Sequence, residues 1–175
     1  RLKNLVDDLL HLSRIEGGSL NMTIEKINLD HIVESTILNL EQEALRKDIK
    51  IESLVDKRIE VLSDFISLDI IISNYLNNAI AYSPNNSKIT ISAEEAYEKI
   101  KLSVKDEGEG IPENYKDRVF ERFFRVDKGR SLNQGGTGLG LSIVKNLAST
   151  LSSPVGVENQ EPNGASFWIE LDKST

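Results

Sequence analysis

Residues 135–141 have the sequence Gly135-Gly-Thr-Gly-Leu-Gly-Leu141 and run directly into apolar side chains at helical spacing, Ile143, Val144 and Leu147. The N–H groups at the start of a helix have no partner within it and lie at the positive end of its dipole, so they form an anion site. The glycine spacing fits neither the dinucleotide fingerprint nor the P-loop, because no Gly-Lys-Ser/Thr is present. The stretch therefore predicts an anion-binding loop, with a flexible linker that caps a helix as the alternative.

A basic segment precedes this loop and contains Glu121-Arg-Phe-Phe-Arg-Val-Asp127. Residues 116–130 include six basic and three acidic side chains, in a chain whose formal net charge is −7. A local excess of positive charge beside an anion site indicates that the anion is a phosphate. The alternative is a solvated helix face with Phe123 and Phe124 packed in the core.

A second glycine cluster, Asp106-Glu-Gly-Glu-Gly-Ile111, directly follows a predicted strand. Its glycines allow the backbone to approach a ligand without a Cβ in between. The ionised Asp106 carboxylate accepts a hydrogen bond from an exocyclic amine but cannot donate one. This chemistry suits the N6 amine of adenine and disfavours the carbonyl of guanine. A tight strand-to-helix turn with a capping Asp is the alternative.

A predicted helix over residues 64–82 includes Asn74, Asn77 and Asn78. Asn74 and Asn78 are four residues apart and therefore share a face. Asn is unfavourable in a helix interior unless its amide makes a contact, and its carbonyl oxygen is a suitable ligand for Mg²⁺, which also takes phosphate oxygens and waters. The alternative is that both side chains bond to neighbouring backbone.

The remaining periodicities predict an α+β fold. Asn28 or Asp30 caps one helix and Asp64 caps the next. Helical patterns cover residues 29–47, 64–82 and 139–149, with a short helix over 112–120. Strand patterns cover residues 49–54, 59–61, 89–92, 100–104, 155–158 and 166–171. Their order predicts a two-layer α/β sandwich, a mixed sheet of roughly five strands with about three helices on one face.

The composition excludes several classes of function. The 175 residues include no Cys and only two His, His11 and His31, which excludes a disulfide scaffold and argues against a zinc cluster. The net charge of −7 argues against a nucleic-acid partner. No apolar run approaches the roughly 18 residues of a membrane span.

Residues 1–16 have apolar side chains at spacings of three and four, and Gly17-Gly18-Ser19 then ends the helical pattern. A lone helix of this length is marginal in water, so the apolar stripe predicts a partner helix. We therefore expect residues 1–18 to be the end of a truncated helical hairpin, and residues 19–175 to form one folded domain.

The four segments, in this order, resemble the ATP-binding catalytic domain of bacterial sensor histidine kinases, a branch of the superfamily that includes gyrase, Hsp90 and MutL. Asn74-Tyr-Leu-Asn-Asn78-Ala resembles the N box and Asp106-Glu-Gly-Glu-Gly-Ile111 the G1 box. Glu121-Arg-Phe-Phe-Arg-Val-Asp127 resembles the F box and Gly136-Thr-Gly-Leu-Gly-Leu141 the G2 box.

The resemblance implies ATP and Mg²⁺ as cofactors, with Asn78 holding the metal and Asp106 bonding adenine. It also implies that residues 123–140 form a mobile ATP lid and that Arg125 contacts the γ-phosphate, so that Asn78 and Arg125 are the catalytic residues. The implied nucleotide-binding residues are Asn74, Asn78, Tyr82, Asp106, Gly108, Gly110, Ile111, Arg125, Gly136, Thr137, Gly138, Leu139, Gly140 and Leu141.

The resemblance further implies phosphoryl transfer to a His on the dimerisation hairpin, upstream of Arg1, and relay to the receiver domain of a response regulator. His11 and His31 do not lie in acceptor-like sequences, so we do not expect autophosphorylation from this chain alone. The expected parent protein is a homodimeric sensor of the inner membrane. This chain is its cytoplasmic domain, expected to be monomeric or weakly associated by itself.

One departure from the family pattern is Ala81, where a basic residue often stands three positions after the metal-binding Asn. The phosphates must then be contacted by the lid, through Arg122, Arg125 or Lys128. Two alternative functions stay open: a non-catalytic binding module that responds to nucleotide, and an ATPase of the chaperone or topoisomerase branch.

Overall fold

The computed structural model of the chain describes residues 21–126 and 136–174, together with residues 6, 9, 10, 13 and 17. This part contains seven strands: β1 (Ile24–Asn28), β2 (Lys50–Ser53), β3 (Glu60–Asp64), β4 (Lys88–Ala96), β5 (Lys99–Lys105), β6 (Val155–Asn159) and β7 (Ala165–Lys173). It also contains three α-helices: α1 (Leu29–Leu45), α2 (Phe65–Tyr82) and α3 (Gly140–Thr150). Two single turns of 3₁₀ helix lie at Glu113–Tyr115 and Arg118–Phe120.

The strands form one mixed sheet in the order β1-β3-β7-β5-β4-β2, and β6 pairs with β7 beside β3. The β2–β4 pair is parallel, and every other pair among the described strands is antiparallel. The register of the central pair places Ile100 opposite Leu171 and Leu102 opposite Ile169. All four side chains are buried, so one face of the sheet is continuously apolar.

The helices cover this apolar face, with α2 packed between α1 and α3. Asn28 caps α1, since its Oδ1 accepts a hydrogen bond from the His31 N–H at 2.9 Å. Asp64 caps α2 in the same way by accepting from the Ser67 N–H at 2.8 Å. Both caps satisfy N–H groups that a helix leaves without partners, as the sequence predicts.

Tyr75 joins α2 to the centre of the sheet. Its side chain is fully buried, and its hydroxyl donates to the carbonyl of Trp168 at 2.9 Å. Its ring packs on that of Phe167 with centroids 5.6 Å apart. Because this contact combines a hydrogen bond with aromatic packing, it defines both the rotation and the height of α2 above the sheet.

The predicted α+β class, the two layers and the mixed sheet are confirmed, but the sheet has seven strands rather than roughly five. Strand β1 was not predicted, because only Ile27 of its two isoleucines is buried and the segment lacks a period of two. The predicted helix over residues 112–120 is wrong: two separate 3₁₀ turns occur there, in a segment too short to propagate an α-helix.

Two further predictions lie outside the described residues. Most of the predicted N-terminal helix does, as does the central part of the predicted lid, residues 127–135. Within the described part of the chain, no helix has the length and apolar character that a bilayer span requires.

The C-terminal end of α2 is capped by a side chain from outside the helix. The Lys47 ammonium, half-buried just after α1, donates to the carbonyl oxygens of Ile80, Ala81 and Ser83 at 2.6, 3.0 and 2.7 Å. A cation is favourable at this negative end of the helix dipole. Burial lowers the pKa of Lys47, which shows that the ammonium lies partly outside bulk water.

We predict that Lys47→Met lowers the free energy of unfolding by about 2 kcal/mol, because three carbonyl groups lose a charged donor while the apolar stem remains. Urea unfolding at neutral pH measures this change. Lys57→Met, at an exposed lysine, is the matched control and should change the free energy of unfolding by less than about 0.5 kcal/mol. Equal stability of the two variants would contradict the cap.

Candidate functional site

Asp106 follows β5 directly and is buried, with 7% of its surface exposed. Its Oδ1 accepts hydrogen bonds from the N–H groups of Gly108 at 2.8 Å and Ala165 at 3.1 Å, and its own N–H donates to the Ala165 carbonyl at 2.9 Å. Burial raises the pKa of the carboxyl group, and the two N–H donors partly oppose that rise. Both donors bind Oδ1, so Oδ2 accepts no hydrogen bond from the described residues.

Gly108 and Gly110 allow close contacts within the protein. A Cβ on Gly108 would lie 2.9 Å from the carbonyl oxygen of Tyr82, the last residue of α2. Gly110 has a φ of +77°, and a Cβ there would lie 3.0 Å from Oδ1 of Asn159. Chain packing thus requires both glycines; that they also leave room beside adenine stays a prediction.

The turn between β6 and β7 holds the loop over residues 106–111. Asn159 accepts from the N–H of Ile111 and donates to its carbonyl, both at 2.8 Å. Asn163 donates to the Glu107 carbonyl at 2.9 Å. Gly164 has a φ of +106°, and a Cβ there would overlap the Asp106 carbonyl. The sequence predicts a turn at Pro162-Asn-Gly164, but no sequence signal shows which loop the turn contacts.

Asn74 and Asn78 lie on one face of α2, with different partners. Asn74 donates to the Ile70 carbonyl at 2.8 Å, so the backbone-bonded alternative is correct for this residue. Its Oδ1 also faces Gly140 so closely that a Cβ there would overlap it. Asn78 is half-buried, and its amide makes no hydrogen bond to any residue that the structure describes. Asn78 therefore remains able to bind a ligand.

The predicted F and G2 boxes meet although they are separated in sequence. The Phe123 N–H donates to the Gly138 carbonyl at 2.8 Å, and Arg125 donates to the Gly136 carbonyl at 2.9 Å. Phe123 has a φ of +59° and Gly138 has a φ of +74°, so the backbone of both segments turns sharply at this contact. The basic segment is thereby placed beside the start of α3.

Aromatic and cationic side chains support the basic segment. The Arg118 guanidinium lies 4.5 Å from the centroid of the Phe124 ring, and the rings of Tyr115 and Phe124 are 5.5 Å apart. These residues line a cleft together with Arg122 and Arg125. Phe123 is exposed, so the alternative of two core phenylalanines is wrong for that residue, whereas Phe124 is half-buried and packs against the core.

Four of the predicted site residues have side chains that pack against the core or form a local hydrogen bond. Leu139 is fully buried, so only its backbone can contact a ligand. Leu141 and Ile111 are partly buried against the core. Thr137 accepts from the Leu139 N–H at 3.2 Å, which helps to begin α3. The backbone of this segment, rather than its side chains, is thus available at the start of the helix.

The site as a whole is a strip along one face of α2. Asn74, Asn78 and Tyr82 are four residues apart in turn, and the outer two are about 12 Å apart along the axis. The start of α3 meets the Asn74 end, and the loop after β5 meets the Tyr82 end. The start of α3 and the buried Asp106 carboxylate therefore lie at opposite ends of one face of α2. Tyr82 is half exposed beside the carboxylate end.

The chain matches a known protein family and several named relatives. The description "Histidine kinase-, DNA gyrase B-, and HSP90-like ATPase" matches residues 63–175. The sensor-like histidine kinase SenX3 of Mycolicibacterium smegmatis is 36% identical over 171 residues, which are 98% of this chain and 44% of that protein. The sensor histidine kinase WalK of Bacillus subtilis is 33% identical over 173 residues, 98% of this chain and 28% of that protein.

Solved structures agree in fold. Full-length ShkA in complex with AMPPNP has a TM-score of 0.86 and 27% identity, over 99% of this chain and 36% of that chain. ThkA in complex with the response regulator TrrA has a TM-score of 0.80 and 26% identity, over 99% of this chain and 48% of that chain.

The chain spans less than half the length of these curated relatives. The resemblance that the four sequence boxes indicate is confirmed. The chain belongs to the histidine kinase-, DNA gyrase B- and HSP90-like ATPases, and it is similar to the ATP-binding catalytic domains of the sensor histidine kinases in that family.

Proposed function

We propose that this domain binds Mg-ATP and donates the γ-phosphoryl group to a histidine on a dimerisation hairpin, for relay to the receiver domain of a response regulator. The observation that supports this most directly is the strip along α2, which has an acceptor for adenine at one end and an anion site at the other. The similar protein ShkA binds AMPPNP, and the similar protein ThkA binds a response regulator.

Adenine binds at the Tyr82 end of the strip. Oδ1 of Asp106 is occupied by the N–H groups of Gly108 and Ala165, so Oδ2 is the oxygen that receives the exocyclic amine. Guanine would present a carbonyl oxygen to the same carboxylate, and the two acceptors would repel each other. The site therefore selects adenine by the absence of a donor on Asp106.

The phosphates bind at the start of α3. The backbone of residues 136–140 supplies N–H groups there, apart from that of Leu139, which donates to the Thr137 hydroxyl, at the positive end of the dipole of an eleven-residue helix. Arg125 and Arg122 lie on the adjoining segment and supply positive charge. Ala81 offers no cation, so on the protein side these arginines and the helix terminus balance the charge of the triphosphate.

Asn78 fits a magnesium site that is completed by the nucleotide. The described residues include no group of three or more His, Asp or Glu that could hold a metal ion. Asn78 lies midway along the strip and has no hydrogen-bond partner among the residues that the structure describes, so its Oδ1 would bind Mg²⁺ together with phosphate oxygens and waters. When bound, the ion neutralises charge on the phosphates.

In the transfer step, a nitrogen of the acceptor histidine attacks the γ-phosphorus. The bond from that phosphorus to the oxygen bridging it to the β-phosphate breaks, and ADP leaves with the bonding pair. This chemistry requires alignment and charge neutralisation more than proton transfer. The chain supplies alignment by holding the adenine at Asp106, and charge through Arg125 and the start of α3.

The proposed parent is a homodimeric sensor of the inner membrane.

Ala81 also favours a second candidate function, a non-catalytic module whose lid changes shape with nucleotide. Incubation of this domain with ATP, Mg²⁺ and a separate dimerisation hairpin that includes an acceptor histidine distinguishes the two. Acid-labile phosphate on the hairpin supports the kinase; ATP binding without any phosphohistidine supports the module. Steady ATP hydrolysis by this domain alone would instead support an ATPase of the chaperone or topoisomerase branch.

We predict that Asp106→Asn weakens ATP binding by about 10- to 100-fold and narrows the preference over GTP, because an amide donor then faces the adenine amine. Calorimetric titration of both nucleotides with Mg²⁺ measures this. Unchanged ATP affinity would remove Asp106 from the site.

Although it weakens ATP binding, the same substitution should raise the free energy of unfolding at neutral pH. Because burial raises the pKa of Asp106, the ionised carboxylate opposes folding. This cost is absent below the pKa that Asp106 has in the unfolded chain, and it appears as the pH rises through the pKa that Asp106 has in the folded chain. Asp106→Asn should therefore be more resistant to urea than wild type at pH 7, with the difference vanishing in acid. A variant less stable than wild type at pH 7 would contradict this.

Wild-type ATP binding should weaken on acidification, starting at a higher pH than an ordinary aspartate would allow.

We predict that Asn78→Ala removes most of the increase in ATP affinity that Mg²⁺ produces, because the metal loses its protein ligand. ATP titrations with Mg²⁺ and with EDTA measure that increase. Asn77→Ala, at the exposed neighbouring position, is the matched control and should retain it. The same Mg²⁺ dependence in both variants would assign the metal site to other residues.

A further inference from the structure

The turn between β6 and β7 contacts nearly the whole length of the loop over residues 106–111, a loop without regular secondary structure. The contacts are side chain to backbone and backbone to backbone, all within this chain. Five of the six loop residues are contacted from the turn or its flanking strands: Asp106, Glu107, Gly108, Gly110 and Ile111.

Asn159 closes one end of this contact. Its amide accepts from the Ile111 N–H and donates to the Ile111 carbonyl, both at 2.8 Å, so it pairs with Ile111 as a neighbouring strand would. A Cβ on Gly110 would lie only 3.0 Å from the same Oδ1, and the φ of +77° there favours glycine, so residue 110 suits this close contact.

Asn163 and Gly164 close the other end. Asn163 donates to the Glu107 carbonyl at 2.9 Å, and Gly164 approaches the Asp106 carbonyl too closely for any side chain. The next residue, Ala165, donates its N–H to the Asp106 carboxylate. The carboxylate is therefore positioned by the same turn that Asn159 and Asn163 attach to the loop.

We propose that Asn159 and Asn163 are positioning residues for adenine recognition: they hold the loop in the binding conformation before nucleotide arrives, so that Asp106 is already directed at the base. This rests on the proposed function of the domain. A loop released from the turn would have to be ordered on binding, and that cost would appear as lost affinity.

A role in positioning can be separated from a role in folding because the Asn159 hydrogen bonds are exposed. Water can replace the lost partners at Ile111, so the substitution should change the free energy of unfolding little. The freedom of the loop would still increase, and only a ligand that uses Asp106 would detect the change.

The test compares ATP and GTP titrations, with Mg²⁺, of wild type, Asn159→Ala, Asn163→Ala and the control Gln160→Ala. Gln160 lies in the same turn, and within the described part of the chain its side chain donates only to the Asn159 carbonyl. We expect about tenfold weaker ATP binding for Asn159→Ala, a lesser loss for Asn163→Ala, and a smaller ratio of ATP to GTP affinity in both. Gln160→Ala should remain within about twofold of wild type.

Backbone amide resonances give a second readout. The Gly108 and Ala165 N–H groups bind the Asp106 carboxylate, and neither takes part in the hydrogen bonds of the Asn159 side chain. In Asn159→Ala without nucleotide, their chemical shifts should move and their hydrogen exchange should quicken, while core amides such as that of Ile91 stay protected. Should Asn159→Ala not fold, Asn163→Ala makes the same test at the other end of the loop.

Three results would overturn the proposal: wild-type ATP affinity in both variants, an equal loss of ATP and GTP affinity together with a lowered stability, or unchanged Gly108 and Ala165 resonances. A wild-type domain that binds no ATP would overturn the proposed function as well. Wild-type ATP binding that the Asn159 and Asn163 substitutions leave unaltered would overturn the positioning role alone.

Discussion

The close approach of two glycine loops to helix α2 is the contact on which the rest of the site depends. Gly108 lies against the Tyr82 carbonyl at one end of the helix, and Gly140 lies against Asn74 at the other. Neither contact leaves space for a side chain, so one loop is placed against the backbone of α2 and the other against the Asn74 side chain. The helix is in turn placed by Tyr75, which bonds to the carbonyl of Trp168 in the central strand. The Asp106 loop and the start of α3 are therefore both positioned by one helix, α2.

The two ends of this face of α2 differ in local charge, which the net charge of the chain does not reveal. The chain as a whole is acidic, with a net charge of −7, yet the segment next to the start of α3 has an excess of basic residues. The Asp106 carboxylate is buried at the other end, where two backbone N–H groups reduce the cost of holding it away from water. Lys47 balances the negative end of α2 nearby. The proposed nucleotide fits this arrangement, because its base carries donors and its phosphates carry negative charge.

Much of the fold could be predicted from local sequence, and the exceptions have local reasons. The bounds of α1, α2 and α3 follow from apolar spacing and from caps such as Asn28 and Asp64, whose side chains act within three residues. Strand β1 escaped prediction because it lies at the edge of the sheet and buries little. The short helix after Pro112 was wrongly predicted, since composition favours a helix there but the segment divides into two turns.

By itself, the sequence determined the chemistry of the site: which residues can accept from an amine, bind an anion or hold a metal, and in what order they occur. Those properties belong to side-chain types and to spacing along one helix or loop. Only the tertiary structure decided that Asn159, Asn163 and Gly164 hold the Asp106 loop, and that Phe123 meets Gly138. These contacts join segments 15 to 58 residues apart. Their geometry follows from the packing of α2 and the register of β7 with β5, which no local pattern specifies.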